Sequence, residues 1–152
     1  DQLRHVRPWP WSPELFRVAR LRDPLKTKQL QKGLQELGEE GAIQVFENLG
    51  SGALLLGAVG TLQFEVVAQR LQTEYKVDAI FESADIYTAR WLTFPDDTTR
   101  RGFEREQIHR MAKDVDGNPV YLASTRYNLE VTSEKWPRVA FHDSREHGQL
   151  LA

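Results

Sequence analysis

The sequence predicts an α+β fold. A ferredoxin-like βαββαβ first half is followed by a second α/β half of similar order, with antiparallel sheets and helices packed on one face. Three observations carry this. Two stretches with a helical apolar stripe, near residues 24–37 and 61–75, are each bracketed by short apolar strands. Gly, Asn, Asp and Pro punctuate the joins between them. The same strand–helix–strand–strand–helix–strand grammar then recurs after residue 84. The halves do not align residue by residue, so the recurrence is one of architecture and not a sequence repeat.

Residues 1–13 hold three prolines and two tryptophans and read as an extended linker lying against the body. "LFRVARL" (15–21) reads as a strand. Asp23 is a natural N-cap, and Pro24 fits a first helical position, where its missing amide costs nothing. Leu30, Leu34 and Leu37 then fall on one face at i, i+4, i+7, and Gly38 or Gly41 ends the helix. "AIQVFEN" (42–48) and "ALLLGAV" (53–59) are strands joined by the hairpin-type loop "NLGSG". Phe64, Val67, Ala68, Leu71 and Tyr75 form the stripe of a second helix over 61–75, and "VDAIFES" (77–83) closes the first half.

The second half opens with a strand over 85–94. A helix capped by Asp96 or Asp97 follows and runs through "REQIHRMA". "KDV" and "VYLA" flank the turn "DGNP", "STRYNLEVTSEKWP" is a helix stopped by Pro137, and "RVAFHDSR" is a closing strand. The expected organisation is a linker at 1–13, a body at 14–147 with possible subunits 14–84 and 85–147, and a tail at 148–152.

The totals narrow the function classes. A chain of 152 residues buries roughly two-thirds of its unfolded surface and folds without a disulfide or metal. The formal net charge of -2 excludes nucleic-acid binding by bulk charge, so a polyanion contact needs a local patch. The absence of cysteine excludes a disulfide scaffold, a thiolate zinc site and a cysteine nucleophile, and suits a reducing compartment such as the cytoplasm. The longest apolar run is about seven residues even with Gly57 included, far short of a membrane span. No secretory leader is visible, and a chain that begins at Asp1 is expected to be a piece of a longer protein.

Glycines at 57 and 60, between a strand and a helix, raise the question of phosphate binding. "GAVGTLQF" lacks the lysine and the spacing of a P-loop and the third glycine of a dinucleotide fingerprint. Gly57 and Gly60 are therefore read as a structural turn, Gly60 letting the helix start close against the sheet. "DVDGN" (114–118) begins like a calcium loop, but Pro119 stands where glycine belongs and Thr125 where the bidentate glutamate belongs. A hairpin turn is the better reading of this stretch. His5, His109, His142 and His147 include no i, i+4 pair, and no nucleophile elbow occurs. Glu39–Glu40 sits at a helix end, and Asp96–Asp97 at a helix start, where capping and the helix dipole explain it. These residues assemble no catalytic, cofactor or metal site.

One cluster stands out. Arg17, Arg20, Arg22, Lys26, Lys28 and Lys32 face only Asp23 in the same stretch. Lys28 and Lys32 lie opposite the leucine stripe. The cluster is either a solvated face or a local surface for rRNA or acidic partners. No aromatic residue interleaves it, which argues against stacking on single strands.

Two long segments carry a family resemblance. "GAVGTLQFEVVAQRLQTEYKVD" is similar to a segment of translational GTPases, more distantly the third domain of elongation factor G. Thr61 and Gln63 stand where that factor has Glu and His. "RLRDPLKTKQLQKGLQELGEEGAIQVF" (20–46), "LLLGAVGTLQFEVVAQRLQTEYKVDAIFE" (54–82), "TARW" (88–91) and "SREH" (144–147) more closely resemble the C-terminal domain of bacterial peptide-chain release factor three, the class II release factors. The similarity runs over about residues 14–147.

The resemblance implies a GTPase domain and a β-barrel domain upstream, with GTP or GDP and Mg bound there and none in this stretch. It implies contact with the ribosome, through rRNA and a small-subunit protein, and with the chain's own upstream domains. It implies neither DNA nor membrane as a partner, and a role in removing codon-reading release factors after peptide release. Two rival readings use the same architecture. One is a stand-alone ferredoxin-like regulatory or RNA-binding module. The other is an acylphosphatase-type enzyme, which needs an anion-cradling loop after the first strand, where "RLRDPL" places a capped helix start instead.

Overall fold

A computed structural model describes residues 13–144. The expected linker lies outside the described residues except for Pro13. The expected tail lies outside them too, as do Arg145 to His147 of "SREH" and His5. Fourteen elements follow one another among the described residues. The first half holds β1 (Leu15–Leu21), a 3-10 turn (Pro24–Lys26), α1 (Thr27–Glu40), β2 (Gln44–Asn48), β3 (Leu54–Ala58), α2 (Thr61–Tyr75) and β4 (Ala79–Ser83). The second holds β5 (Thr88–Thr93), α3 (Asp97–Gln107), a 3-10 turn (Ile108–Arg110), β6 (Met111–Lys113), β7 (Pro119–Ala123), α4 (Arg126–Lys135) and β8 (Ala140–His142). None of the described helices is long and apolar enough to cross a membrane.

All eight strands join one antiparallel sheet in the order β4-β1-β3-β2-β6-β7-β5-β8. The first half contributes 4-1-3-2, the ferredoxin-like order. Counted within itself, the second half contributes 2-3-1-4, the same order approached from the other edge. The expected α+β class holds, with the two halves fused into one sheet. The seam is β2 against β6, where Glu47 faces Lys113 and Asn48 faces Ala112.

Side chains alternate across this sheet, as strand geometry requires. On the helix face of the first half, Val45, Leu56 and Ala58 pack with Leu30, Leu34 and Leu37 of α1 and Phe64, Val67 and Leu71 of α2. On the helix face of the second half, Leu92, Met111, Tyr121 and Ala123 pack with Phe103 of α3. The opposite face carries Phe16, Phe46 and Leu55 from the first half and Ala89, Trp91, Val120 and Leu122 from the second, in one buried cluster. β2 and β5 stand three places apart, so a flat sheet would hold them about 14 Å from each other. The rings of Phe46 and Trp91 nevertheless lie 5.9 Å apart. The sheet therefore curls on itself. Its two helix-free faces share an inner core, and the helices lie outside.

Local chemistry sets the element ends. Asp23 accepts the Leu25 amide at 3.0 Å and caps the 3-10 turn that leads into α1. Gly41, at φ 87°, ends α1 in the left-handed region, while Gly38 lies inside the helix. Asp96 accepts the Thr99 amide at 2.7 Å at the start of α3, and Thr125 caps α4 through the Asn128 amide at 2.9 Å. Met111 and Ala112, expected in the helix of the second half, form strand β6 instead. After the 3-10 turn, Met111 points to the helix-side core and Ala112 to the inner core, a period of two that only the sheet imposes. "KDV" likewise contributes only Lys113 to a strand.

The outer helices are tied by ion pairs at their seams. Arg70 of α2 bridges Glu40 of α1 and Glu74 of its own helix. Glu106 of α3 accepts from Lys135 Nζ at 2.6 Å, Trp136 Nε1 at 2.8 Å and Gln107 Nε2 at 3.0 Å. The Lys135 ammonium, followed by the indole and amide donors, holds the Glu106 carboxyl down at about 2.

Two predictions follow from this packing. Phe46→Ala removes the ring that bridges the halves. It should cost about 3–5 kcal/mol, shifting urea unfolding read by circular dichroism and by tryptophan fluorescence together; separate transitions for the two probes would contradict a shared inner core. For Glu106 the folded pKa lies below the unfolded value, so its stabilisation is complete above the unfolded value of 4.5 and is lost as pH falls toward about 2. Glu106→Gln should therefore flatten the loss of stability between about pH 5 and about pH 3 in urea titrations.

Candidate functional site

The basic stretch separates in space. Arg20 Nε lies 2.6 Å from Glu82, and Arg22 Nε lies 3.0 Å from Asp78, both carboxylates belonging to β4 or the residue before it. The Arg17 guanidinium stacks 4.6 Å above the Phe64 ring. Lys26 is half-buried at the end of the 3-10 turn. Lys28 and Lys32 alone among the six stay exposed on α1 with no ion-pair partner among the described residues. They stand on the rim of a groove of about 420 Å³ between α1 and the β2–β6 seam. Leu34, Val45 and Leu54 line it, with Lys113 of β6 on the far side and Glu47 and Asp114 in the wall.

The groove unites residues from both halves. Lys113 was not singled out from sequence, since only the β2–β6 register brings it opposite Glu47. The "DVDGN" turn closes one end: Gln35 Nε2 of α1 donates to the Val115 carbonyl at 3.0 Å. Asp114 is fully engaged in building this turn. Its carboxylate accepts the Asp116 and Asn118 amides at 3.0 and 2.9 Å, the Asn118 side chain at 3.1 Å and Trp91 Nε1 at 3.0 Å. The hairpin reading therefore holds, with Gly117 at φ 84°. The groove thus presents three lysines over an apolar floor, with the Glu47 carboxylate beside them and the Asp114 carboxylate spent on the turn.

The glycine pair needs a correction. Gly57 lies inside β3, and a Cβ there would meet Pro13 Cγ at 2.6 Å and Phe46 Cε2 at 3.2 Å. Gly60 caps α2 with extended backbone, and a Cβ on it would meet nothing within 4 Å. The close approach belongs to Gly57 and the inner core, not to Gly60 and the start of the helix. The amides of Val59 and Gly60, which a phosphate would use, donate to Gln63 Oε1 at 2.8 and 3.2 Å. His142 Nε2 sits 3.0 Å from Thr93 Oγ1, while the carbonyl of His109 accepts from Asn48 Nδ2 at 3.0 Å.

The groove joins the two ferredoxin-like halves, with Lys28 and Lys32 of α1 and Lys113 of β6 in its lining. Sequence comparison defines the protein's class: the chain belongs to the family of class II release factor RF3 C-terminal domains, which it matches over residues 9–133. Among individual relatives, it is 79% identical over 142 residues to a protein named peptide chain release factor 3 in Aromatoleum aromaticum. The match covers 93% of this chain and 26% of that relative, so the chain spans about a quarter of the relative's length.

The two glycines separate in a stability test. Gly57→Ala should lose about 1–3 kcal/mol through overpacking, whereas Gly60→Ser should be neutral or gain a few tenths of a kcal/mol as a better N-cap. Urea midpoints of the two variants read the difference, and equal midpoints would refute the packing role of Gly57.

Proposed function

We propose that this chain is the C-terminal ribosome-docking domain of a GTP-dependent peptide-chain release factor that promotes recycling of codon-reading release factors during termination. The observation that carries this is the 79% identity, across 93% of the chain, to a protein named peptide chain release factor 3. GTP hydrolysis, with its nucleotide and Mg, belongs to the G domain of the longer protein, and this domain contributes a rigid surface in the cytoplasm. Lys28 and Lys32, with Lys113 across the groove, contact phosphates of rRNA or acidic groups of a small-subunit protein. Arg20 and Arg22 contribute less, because Glu82 and Asp78 already neutralise them.

The test uses the full-length factor carrying Lys28→Gln and Lys32→Gln. Ribosome affinity should fall, and the slope of log affinity against log salt should become shallower by about 1.4–1.8, or 0.7–0.9 per lost contact. Release of the codon-reading factor should slow while nucleotide binding is retained. Recycling at the parental rate would reject this surface.

A further inference from the structure

The second half holds two half-buried arginines whose charge no carboxylate cancels among the described residues. Arg90 of β5 is half-buried, and its Nη1 donates to Thr88 Oγ1 and to the Ala89 carbonyl, each at 3.0 Å. Arg110, in the 3-10 turn before β6, is half-buried too, and its Nη1 donates to Ser124 Oγ at 2.8 Å. By contrast Arg20, Arg22, Arg70, Arg100, Arg101 and Arg138 all sit on carboxylates. A guanidinium offers five N–H donors in a rigid fork. Neutral anchors fix its direction, leave most of those donors unspent and leave the charge intact.

The two anchors meet at one corner of the sheet. Thr88 pairs with Ala123 across β5 and β7, and Ser124 is the next residue. α4 starts from the same corner, with Arg126 and Tyr127 opening its first turn after the Thr125 cap. Tyr127 is 75% exposed. Tyr87, whose amide donates to the Ala123 carbonyl at 2.8 Å, is 48% exposed. The nearby acids are Glu130, paired with Arg126 at 3.5 Å on the open surface, and Asp85 in the loop before Tyr87. Exposed tyrosines thus stand within a few residues of the two arginine anchors, whereas the stretch from Arg17 to Lys32 holds no aromatic residue.

We propose that this corner binds single-stranded RNA, with phosphates held by Arg90 and Arg110 and bases stacked on Tyr87 and Tyr127. Exposed rings offer nothing to a duplex, whose bases are already stacked, whereas an unpaired loop presents free base faces. The inference rests on the ribosome-docking reading and names RNA as the partner of a second surface, separate from Lys28 and Lys32.

The test uses the full-length factor, intact ribosomes and a labelled mixed-sequence RNA strand of about ten nucleotides, a length within the site sizes of single-strand binders. Arg90→Gln with Arg110→Gln should weaken strand binding about tenfold or more and make the salt slope shallower by about 1.4, two contacts at 0.7 each. Tyr127→Ala, on an exposed ring that folding does not need, should weaken it about fivefold or more. Lys28→Gln with Lys32→Gln should leave more of the strand binding than the arginine pair does. Parental strand binding by both corner variants, or none by the parent, overturns the proposal. Should the arginine pair fail to fold, Tyr127→Ala alone decides. Loss of ribosome binding with strand binding unchanged assigns the corner to a protein partner and also overturns it. A parent that binds the strand through this corner but never the ribosome would sink the docking reading and leave the RNA surface standing.

Discussion

The contact between Phe46 and Trp91 is the constraint on which the rest of the molecule turns. A ferredoxin-like unit covers one sheet face with helices and leaves the other bare. Two such units joined edge to edge leave an apolar face eight strands wide, a surface that soluble proteins do not leave in water. Curling the sheet at the β2–β6 seam turns that liability into a core. The aromatic rings close the gap, with Phe16 6.3 Å from Phe46 and Phe46 5.9 Å from Trp91. Trp91 then reaches through its indole nitrogen to Asp114, so the inner core also holds the turn that grips α1. The fusion makes two small units, each marginal in size, into one stiff body.

Stiffness matters because the surface charges are of two kinds. One set is spent on the architecture. Arg70 draws Glu40 and Glu74 below the usual carboxylate range, and the Thr99 donors at the start of α3, with Arg138 beyond them, do the same for Asp96. These pairs are exposed and individually weak, yet they sit at helix seams and helix starts, where they set register. The other set has no ion-pair partner among the described residues: Lys28 and Lys32 on the groove, with Lys113 opposite Glu47 across the seam, and Arg90 and Arg110 at another corner. Separation of the two sets lets a chain of net charge -2 present local positive potential without becoming a general polyanion binder.

Local structure was legible in the sequence where local physics decides it. The strand over 15–21 and the helix over 61–75 coincide with β1 and α2, because apolar period and local breakers fix them, Pro13 and Asp23–Pro24 beside β1 and Gly60 before α2. The cap at Asp23 was equally readable, and that of α3 was narrowed to Asp96 or Asp97, of which Asp96 is the one used. What local pattern could not supply was register between distant segments. Met111 and Ala112 continue a plausible helix until β2 offers them a partner strand. Arg20 and Arg22 look free until β4 brings Glu82 and Asp78 beside them from about sixty residues away. The glycine turn misled for the same reason: Pro13, Phe46 and Gly57 converge only in the fold.

The same logic explains why Lys113, Arg90 and Arg110 escaped a reading by clusters, which caught only Lys28 and Lys32. Lys113 lies about eighty residues from Lys28, and Arg90 twenty from Arg110. No window along the chain holds either group. A charge run in sequence is a poor guide here, since a run on a strand beside an acidic neighbour is cancelled by it. Scattered cations anchored by hydroxyls and carbonyls keep their field, and the rigid inner core holds them at fixed separations. A docking surface that must meet phosphates at set positions needs that second arrangement, because side chains already held in place lose less entropy when the partner arrives.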